Sequence, residues 1–521
     1  MKIFLSRYRN TLVPLYFFFL FFVIGVVVHR DYGVSGDEAA VRSFGNDAFA
    51  YLFQNGPLPA QLDWSFYNPI IHVFMRAMEY ASGLTDGGDI WFLRHLMTFG
   101  MFFLSIVAFY RIARYRFNDW KLPLLGSLMF MLSPRLFAHG FYNPKDVPAM
   151  LFFTLSTWTL LRFLDKKTLL RLFLHILCTA ILISMRVFGF LMPVLALLFL
   201  WMQEWSHREK MKMSAIYLPT LTLTLTLIWP LLWHHPIQGL IGAFLNTTAR
   251  SGGGLYFGQL MSDAGTPWHY VLVWIGITTP ILYSLFFIIG FIGLWIRCSQ
   301  RPLCLFQEHA TAGLALFWFT IPIAALIALR IGIFDEWRHV LFLYPAFLLI
   351  SLEGMWWLLI ATKKLPALGK KVGQVAVIGF IGLQLLLTGI WTIRNHPYEY
   401  AYFSIPTRFV AGQFELDYWG LSYRSGLEWV VRNDFGKRIN VFTAARIGKT
   451  SADTLPIEQW NRLYFTQAAE ADYILDNFRA HEYRHIFPED RKVGSVIVDG
   501  LELLAIYRGP DAEGVYEPIV W

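Results

Sequence analysis

The chain is poor in charge. Only 15% of its 521 residues are Asp, Glu, Lys or Arg, against roughly a quarter in a soluble domain. With 56% apolar residues, that deficit excludes a soluble globular protein and predicts an integral membrane protein. Cysteine is scarce too. Cys178, Cys298 and Cys304 show no CxxC or metal spacing, which excludes a disulfide framework. His139 and the His234-His235 pair lie in no HxxxH or HExxH spacing, so they read as interfacial histidines rather than ligands. Internal repeats and low-complexity tracts are missing. The net charge of +8 suggests no nucleic-acid partner, because Lys and Arg fall mainly in short loops between apolar segments.

What is abundant is the long apolar run. A membrane span needs roughly 20 mostly apolar residues. By that rule about eleven spans are expected, near 11–29, 90–112, 121–138, 147–164, 170–186, 188–203, 214–233, 268–296, 311–330, 338–360 and 373–393. Lys2, Arg7 and Arg9 precede the first run as in a signal peptide. The run is long for one and no small-residue cleavage site follows, so it reads as a retained span. The positive-inside rule puts the N terminus in the cytoplasm. Arg111, Arg114 and Arg116, then Arg162, Lys166 and Lys167, then Lys363 and Lys364 fall on that side. An odd number of spans places the C-terminal region outside.

The outer segments are of three kinds. Residues 30–89 form a long loop in which 48–55 and 70–81 read as amphipathic surface helices. Residues 234–267 form a second, interrupted by Ser251-Gly252-Gly253-Gly254, which reads as a mobile lid or linker. From about residue 395 the long apolar runs stop. Short β-type runs at 439–443, 473–475, 495–498 and 501–507, with helices over 425–432 and 456–468, predict a small extracytoplasmic α/β domain over 395–521. The fold class is therefore a polytopic α-helical membrane protein, spans within 1–394, with that domain appended.

Three constellations could carry chemistry. Val34-Ser35-Gly36-Asp37-Glu38-Ala39 follows the first span. A carboxylate near a reaction centre can take the proton of a hydroxyl or amine. On an extended segment neighbours point opposite ways, so Asp37 reads as the base and Glu38 as an orienting or structural group. The alternative is an acid pair at a helix N-terminus. The loop Ser133 to Pro148 offers Arg135 and Lys145 to a phosphate and Asp146 as a second carboxylate. The alternative there is snorkelling basic side chains and a helix cap. Arg338-His339, in the stretch from Arg330 to Pro345, can clamp a lipid phosphate, unless Asp335 or Glu336 pairs with Arg338 structurally. Arg186, between two short spans, is a further phosphate candidate, since Arg there lines a cavity or reaches the interface.

On these residues the chain resembles the GT-C class of membrane glycosyltransferases. It is most similar to the family 39-like branch, which uses polyprenyl-phosphate sugars and includes protein O-mannosyltransferases and bacterial lipid A aminoarabinose transferases. The resemblance rests on Gly36-Asp37-Glu38, the surface helices after it, Asn143-Pro144-Lys145-Asp146, and Arg338-His339 leading to Tyr344-Pro345. The stretches His396 to Phe403 and Phe414 to Tyr423 resemble uncharacterised bacterial members; they read as an aromatic collar or part of an acceptor site. The resemblance implies an inverting transfer from a polyprenyl-phosphate-linked sugar to a lipid, glycan or protein acceptor. Asp37 would act as base, and Arg338 would hold the leaving phosphate with Lys145 or Arg186. It implies a bacterial inner membrane with the site facing the periplasm. It leaves a divalent metal on Asp37, Asp146 and Glu38 open. Rivals are a transporter or flippase for lipid-linked sugars, a glycan polymerase or ligase, and a sensor. The acids at outer span ends and the missing repeat favour the enzyme over a transporter.

Overall fold

The computed structural model describes residues 2–59, 68–248, 253–261, 266–307, 309–333, 335–479 and 486–509. Its helices, in chain order, are α1 Lys2–Val28, α2 Gly36–Phe53, α3 Ile70–Ser82, α4 Gly87–Arg116, α5 Lys121–Met131, α6 Pro134–Tyr142, α7 Asp146–Asp165, α8 Leu169–Met185 and α9 Leu191–Trp201. There follow α10 His207–Ile228, α11 Pro236–Thr248, α12 Tyr270–Thr278, α13 Ile281–Gln300, α14 Ala310–Ala328, α15 Tyr344–Lys363, α16 Ala367–Asn395 and α17 Ser422–Asn433. Among the described residues, eight helices are long and apolar enough to cross a membrane. The protein is an integral membrane protein.

Three expected spans are shorter helices, over 121–131, 169–185 and 187–201. Each break has a local cause. Proline disfavours helix in the residue before it and removes a donor. Ser133-Pro134 therefore ends α5, and the rest of the expected span over 121–138 becomes α6, a separate helix buried along its whole length. Thr279-Pro280 likewise splits the expected span over 268–296 into α12 and α13. Arg186 is extended (φ −147°, ψ 128°), and this joint separates α8 from a 3₁₀ turn leading into α9.

The bundle closes by close approach as well as by apolar filling. A Cβ on Gly290 of α13 would lie 2.0 Å from the carbonyl oxygen of Ile350, and one on Gly354 of α15 would lie 2.0 Å from that of Phe286. Small residues at a crossing let two backbones touch, which suits a bilayer that gives no hydrophobic drive between helices. Phe153 of α7 then stacks on Trp318 at 4.9 Å and on Phe342 at 4.8 Å.

Outside the spans, α2 and α3 pack together and carry a buried carboxylate. Glu79 takes Arg94 of α4 at 2.5 Å, Arg76 at 3.2 Å and Arg42 at 3.3 Å. Residues 253–261 hold a two-stranded hairpin, β1 Leu255–Tyr256 and β2 Gln259–Leu260. The Ser251-Gly252 part of the expected lid lies outside the described residues. Gly254 has φ +100°, and a Cβ there would meet the Glu415 carboxylate at 2.1 Å; both demand glycine.

The C-terminal sheet has strands β3 Ile439–Thr443, β4 Leu463–Phe465, β5 Tyr473–Asp476, β6 Lys492–Val498 and β7 Leu501–Arg508, in the order β4-β3-β5-β7-β6. β4 and β5 run parallel to β3, β7 pairs antiparallel with β5, and β6 pairs antiparallel with β7. β4 corrects the helix expected over 456–468. Only Ile457–Trp460 is helical, and Leu463-Tyr464-Phe465 pairs with β3 instead, a tertiary contact that overrides a weak local pattern. The core of this sheet includes Val34 and Trp91 from the membrane region.

A polar strap ties α1 to α16. His396 lies 2.9 Å from Asp31 and 2.6 Å from Glu399, which also accepts from the Tyr32 hydroxyl at 2.9 Å. Burial lowers the affinity of His396 for its proton, but Glu399 and then Asp31 outweigh burial and lift its pKa to about 8. The protonated ring thus stabilises the fold fully below the unfolded value near 6.5, and this stability is lost as pH rises through 8. In detergent, thermal stability is expected to fall by up to about 2 kcal/mol between pH 6.5 and 8.5. The His396→Gln variant should lack that slope.

Candidate active site

Asp37 lies in the first turn of α2, not on an extended segment. Successive helix residues are about 100° apart, so Asp37 and Glu38 still diverge. Glu38 turns back: its carboxylate accepts from the Ser35 amide at 2.7 Å and faces His95 Nε2 at 3.1 Å. It is fully buried. Glu38, expected as an orienting or structural group, caps its own helix N-terminus.

Asp37 faces the cations. Arg338 Nη1 donates to its Oδ2 at 2.7 Å, and Lys145 Nζ lies 3.5 Å from the same oxygen. Burial alone would raise the Asp37 pKa; Lys145 and then Arg338 reverse this and hold it well below the usual carboxylate range. Burial in turn lowers the Lys145 pKa, and Asp37 partly restores it. The side chains of Asp37 and Lys145 are 24% and 26% exposed, against 4% for Arg338. A reactant from outside can reach the first two.

Asp146 sits behind this pair. It is ion-paired with Arg186 and lies 4.0 Å from Arg338 Nη1. Asn143 Nδ2 donates to it at 3.1 Å, and Asn143 Oδ1 accepts from the Asp146 amide at 2.9 Å. A carboxylate 3% exposed and held on several sides is a poor base. Its contacts instead hold Arg186 and Arg338 in place.

Arg338 is held from every side. Its Nε lies 3.2 Å from Asp335, its Nη2 3.4 Å from the Tyr418 hydroxyl, and its guanidinium 5.0 and 4.6 Å from the Tyr418 and Trp419 ring centres. The aromatic stretch 414–423 thus supplies the walls of the arginine site. Asp335 and Glu336 both adopt positive φ, 58° and 52°, which costs of order 1–3 kcal/mol each. The strain aims two adjacent carboxylates at different arginines. Burial raises the Asp335 pKa well above the carboxylate range despite Arg338.

Arg135 is not in the cluster. It donates to Glu336 at 2.8 Å and to the Tyr402 carbonyl at 2.9 Å, and it lies 4.5 Å from the Phe403 ring centre. His139 Nε2 holds the other Glu336 oxygen at 2.9 Å. Arg135, expected as a phosphate ligand, here binds Glu336 and the Tyr402 carbonyl, and Glu336 connects through His139 and Asn143 to Asp146. His339 follows Arg338 in the 3₁₀ segment Arg338–Leu343 that leads into α15. His72 of α3, absent from the sequence expectations, is buried, and burial with Arg94 and Lys145 lowers its pKa to about 3. It is a neutral imidazole beside the cations.

The metal option fits poorly. Asp37 and Asp146 are already matched by Lys145, Arg186 and Arg338, and Glu38 faces His95. A divalent ion would add two charges to a site whose carboxylates are spoken for, against the oxygen-rich environment such ions need. Among the described residues no group of three acidic, His or Cys side chains is arranged to hold a metal.

A family model described as dolichyl-phosphate-mannose-protein mannosyltransferase matches residues 87–234. That stretch carries Lys145, Asp146 and Arg186 but not Asp37 or Arg338. The apo crystal structure of the Archaeoglobus fulgidus oligosaccharyltransferase superposes with a TM-score of 0.52 at 10% identity, over 86% of this chain and 64% of that one. The chain thus spans less than two thirds of that protein's length. The archaeal oligosaccharyltransferase AglB from Archaeoglobus fulgidus, in complex with an inhibitory peptide and a dolichol-phosphate, gives 0.46 at 10% identity, over 89% and 70%. No curated protein matches in sequence. Residues 87–234 thus resemble a mannosyltransferase family, and the fold is similar to that of a GT-C membrane glycosyltransferase.

Proposed function

We propose that the protein transfers a sugar from a polyprenyl-phosphate-linked donor to a hydroxyl or amine of an extracytoplasmic acceptor, with inversion. The acceptor is a lipid, glycan or protein. One observation carries this reading: three cations from three separate segments, Lys145, Arg186 and Arg338, converge on two carboxylates, Asp37 and Asp146. Asp335, on the Nε side of Arg338, is pushed toward its neutral acid by burial, so the surplus is one positive charge, the complement of a singly charged phosphodiester. When the sugar leaves, the phosphate gains charge, and fixed cations stabilise that change more than they stabilise the bound donor. The family model's named donor class supports the same chemistry.

In this reading the phosphate enters between Arg338 and Lys145 and loosens both from Asp37. The freed Asp37 carboxylate takes the acceptor proton as the acceptor oxygen or nitrogen bonds to the anomeric carbon. The bond from that carbon to the phosphate oxygen breaks, and polyprenyl phosphate leaves. The site faces the periplasm of a bacterial inner membrane, the N terminus lies in the cytoplasm, and residues 395–521 form an extracytoplasmic domain beside the site. The test is release of polyprenyl phosphate from polyprenyl-phosphate sugars in the presence of envelope extract. The parent is expected to release it and an equally folded Asp37→Asn variant is not. Equal release would remove Asp37 from the mechanism, and binding without release by both in the presence of acceptor would indicate transport.

A further inference from the structure

The end of the bundle away from Asp37 holds a second set of cations that the transfer reaction does not use. His95 of α4 touches Glu38, and Arg111 lies 16 residues further along the same helix, roughly 24 Å at 1.5 Å per residue. There a groove of about 1030 Å³ opens between α1, α4 and α7. Its apolar walls include Leu15, Phe103 and Trp158, and its polar end is formed by Arg111, Arg114 and Arg162. Leu15 is 63% exposed, so the apolar side opens toward the lipid.

These arginines differ from their neighbours. Arg116, one turn beyond, is held by Glu353 at 2.9 Å, and Arg171 holds Asp165 at 3.1 Å. Among the described residues no carboxylate lies within ion-pair distance of Arg111, Arg114 or Arg162. Arg162 lies 5.2 Å from the Trp158 ring centre, which places its guanidinium on the groove wall. Three cations without a carboxylate, at one end of an apolar groove between spans, complement an amphiphile with an anionic head. A zwitterionic head would bring its own cation toward the same arginines. Basic pockets between membrane helices favour acidic phospholipids for this reason.

We propose that this groove binds an anionic glycerophospholipid of the leaflet opposite the Asp37 cluster. Its phosphate sits on Arg111, Arg114 and Arg162, and an acyl chain runs along Leu15, Phe103 and Trp158. The site is separate from the donor site and pins α1, otherwise largely lipid-exposed, to α4 and α7.

The test is a site-specific lipid crosslink in the full chain. Benzoylphenylalanine replaces Leu15, or Phe380 on the lipid-exposed α16 as a reference (61% exposed). Each protein is placed in vesicles of equal phosphatidylglycerol and phosphatidylcholine, irradiated, and its lipid adducts counted by mass. The ratio of phosphatidylglycerol to phosphatidylcholine at position 15 is expected to exceed that at position 380 by about five-fold or more. It should drop to the reference value when Arg111, Arg114 and Arg162 are all changed to Gln. Equal ratios at the two positions in the parent would overturn the proposal, whether or not the triple variant folds. So would an enrichment that survives the triple substitution.

Discussion

Asp37→Asn is expected to lower kcat for sugar transfer by about 10²–10⁴, the range for losing a positioned base, while the protein stays folded. Asparagine has nearly the same shape, and Asp37 is partly exposed. Arg338 keeps Asp146 as a counter-charge and Asp335 as a polar partner, so no buried cation is stranded. The pH profile carries a second signature. In the free protein Lys145 and Arg338 hold the Asp37 pKa far below its usual value, so protonation of Asp37 limits nothing at ordinary pH. Bound phosphate takes up the same two cations, and the proton affinity of Asp37 rises. The acid limb of kcat should therefore lie at higher pH than the acid limb of kcat/KM for the donor. Initial rates across pH 4–8 for the parent protein give both limbs.

Arg338→Lys is expected to cost about 10²–10³ in kcat, close to the effect of removing one preorganised donor from a charge-stabilising site. A lysine keeps the charge but not the geometry. Arg338 reaches Asp335 through Nε and Asp37 through Nη1, and its planar group packs against Tyr418 and Trp419. An ammonium is a point charge without a fork and stacks poorly. Thermal unfolding in detergent should separate this loss from a fold defect. The lysine variant is expected to unfold close to the parent, because the charge facing Asp37 and Asp146 is kept.

Five charged residues of the cluster were legible in the sequence: Asp37, Lys145, Asp146, Arg186 and Arg338. Each stands out because charge beside hydrocarbon is costly and the chain carries so little of it. Their division of labour was not legible. Glu38 reads as an orienting or structural group, but its partner, His95, 57 positions away, shows only in the fold. Arg135 looks like a phosphate ligand until Glu336, 201 positions away, takes its guanidinium. Such pairings are tertiary and leave no local pattern. His72 was missed for the same reason: nothing in its helix marks it, and only the packing of α3 brings it beside Lys145. The apolar runs marked the spans well, but not their internal breaks. Ser133-Pro134 and Thr279-Pro280 carried the signal for those breaks, because proline restricts its predecessor. β4 had no signal of its own, since three residues next to a one-turn helix become a strand only by pairing with β3.

The central claim is that Asp37 and the donor phosphate share the same cations. The affinity of the purified protein for polyprenyl phosphate, measured for the parent and for Asp37→Asn, tests this most directly. Asp37 competes with the phosphate for Arg338 and Lys145. Removing its charge should tighten phosphate binding by about ten-fold, the scale of one charge-assisted contact, in the same preparation that has lost turnover. Unchanged or weaker binding by Asp37→Asn would contradict the account, because the cations around Asp37 would then not be the ones that hold the phosphate.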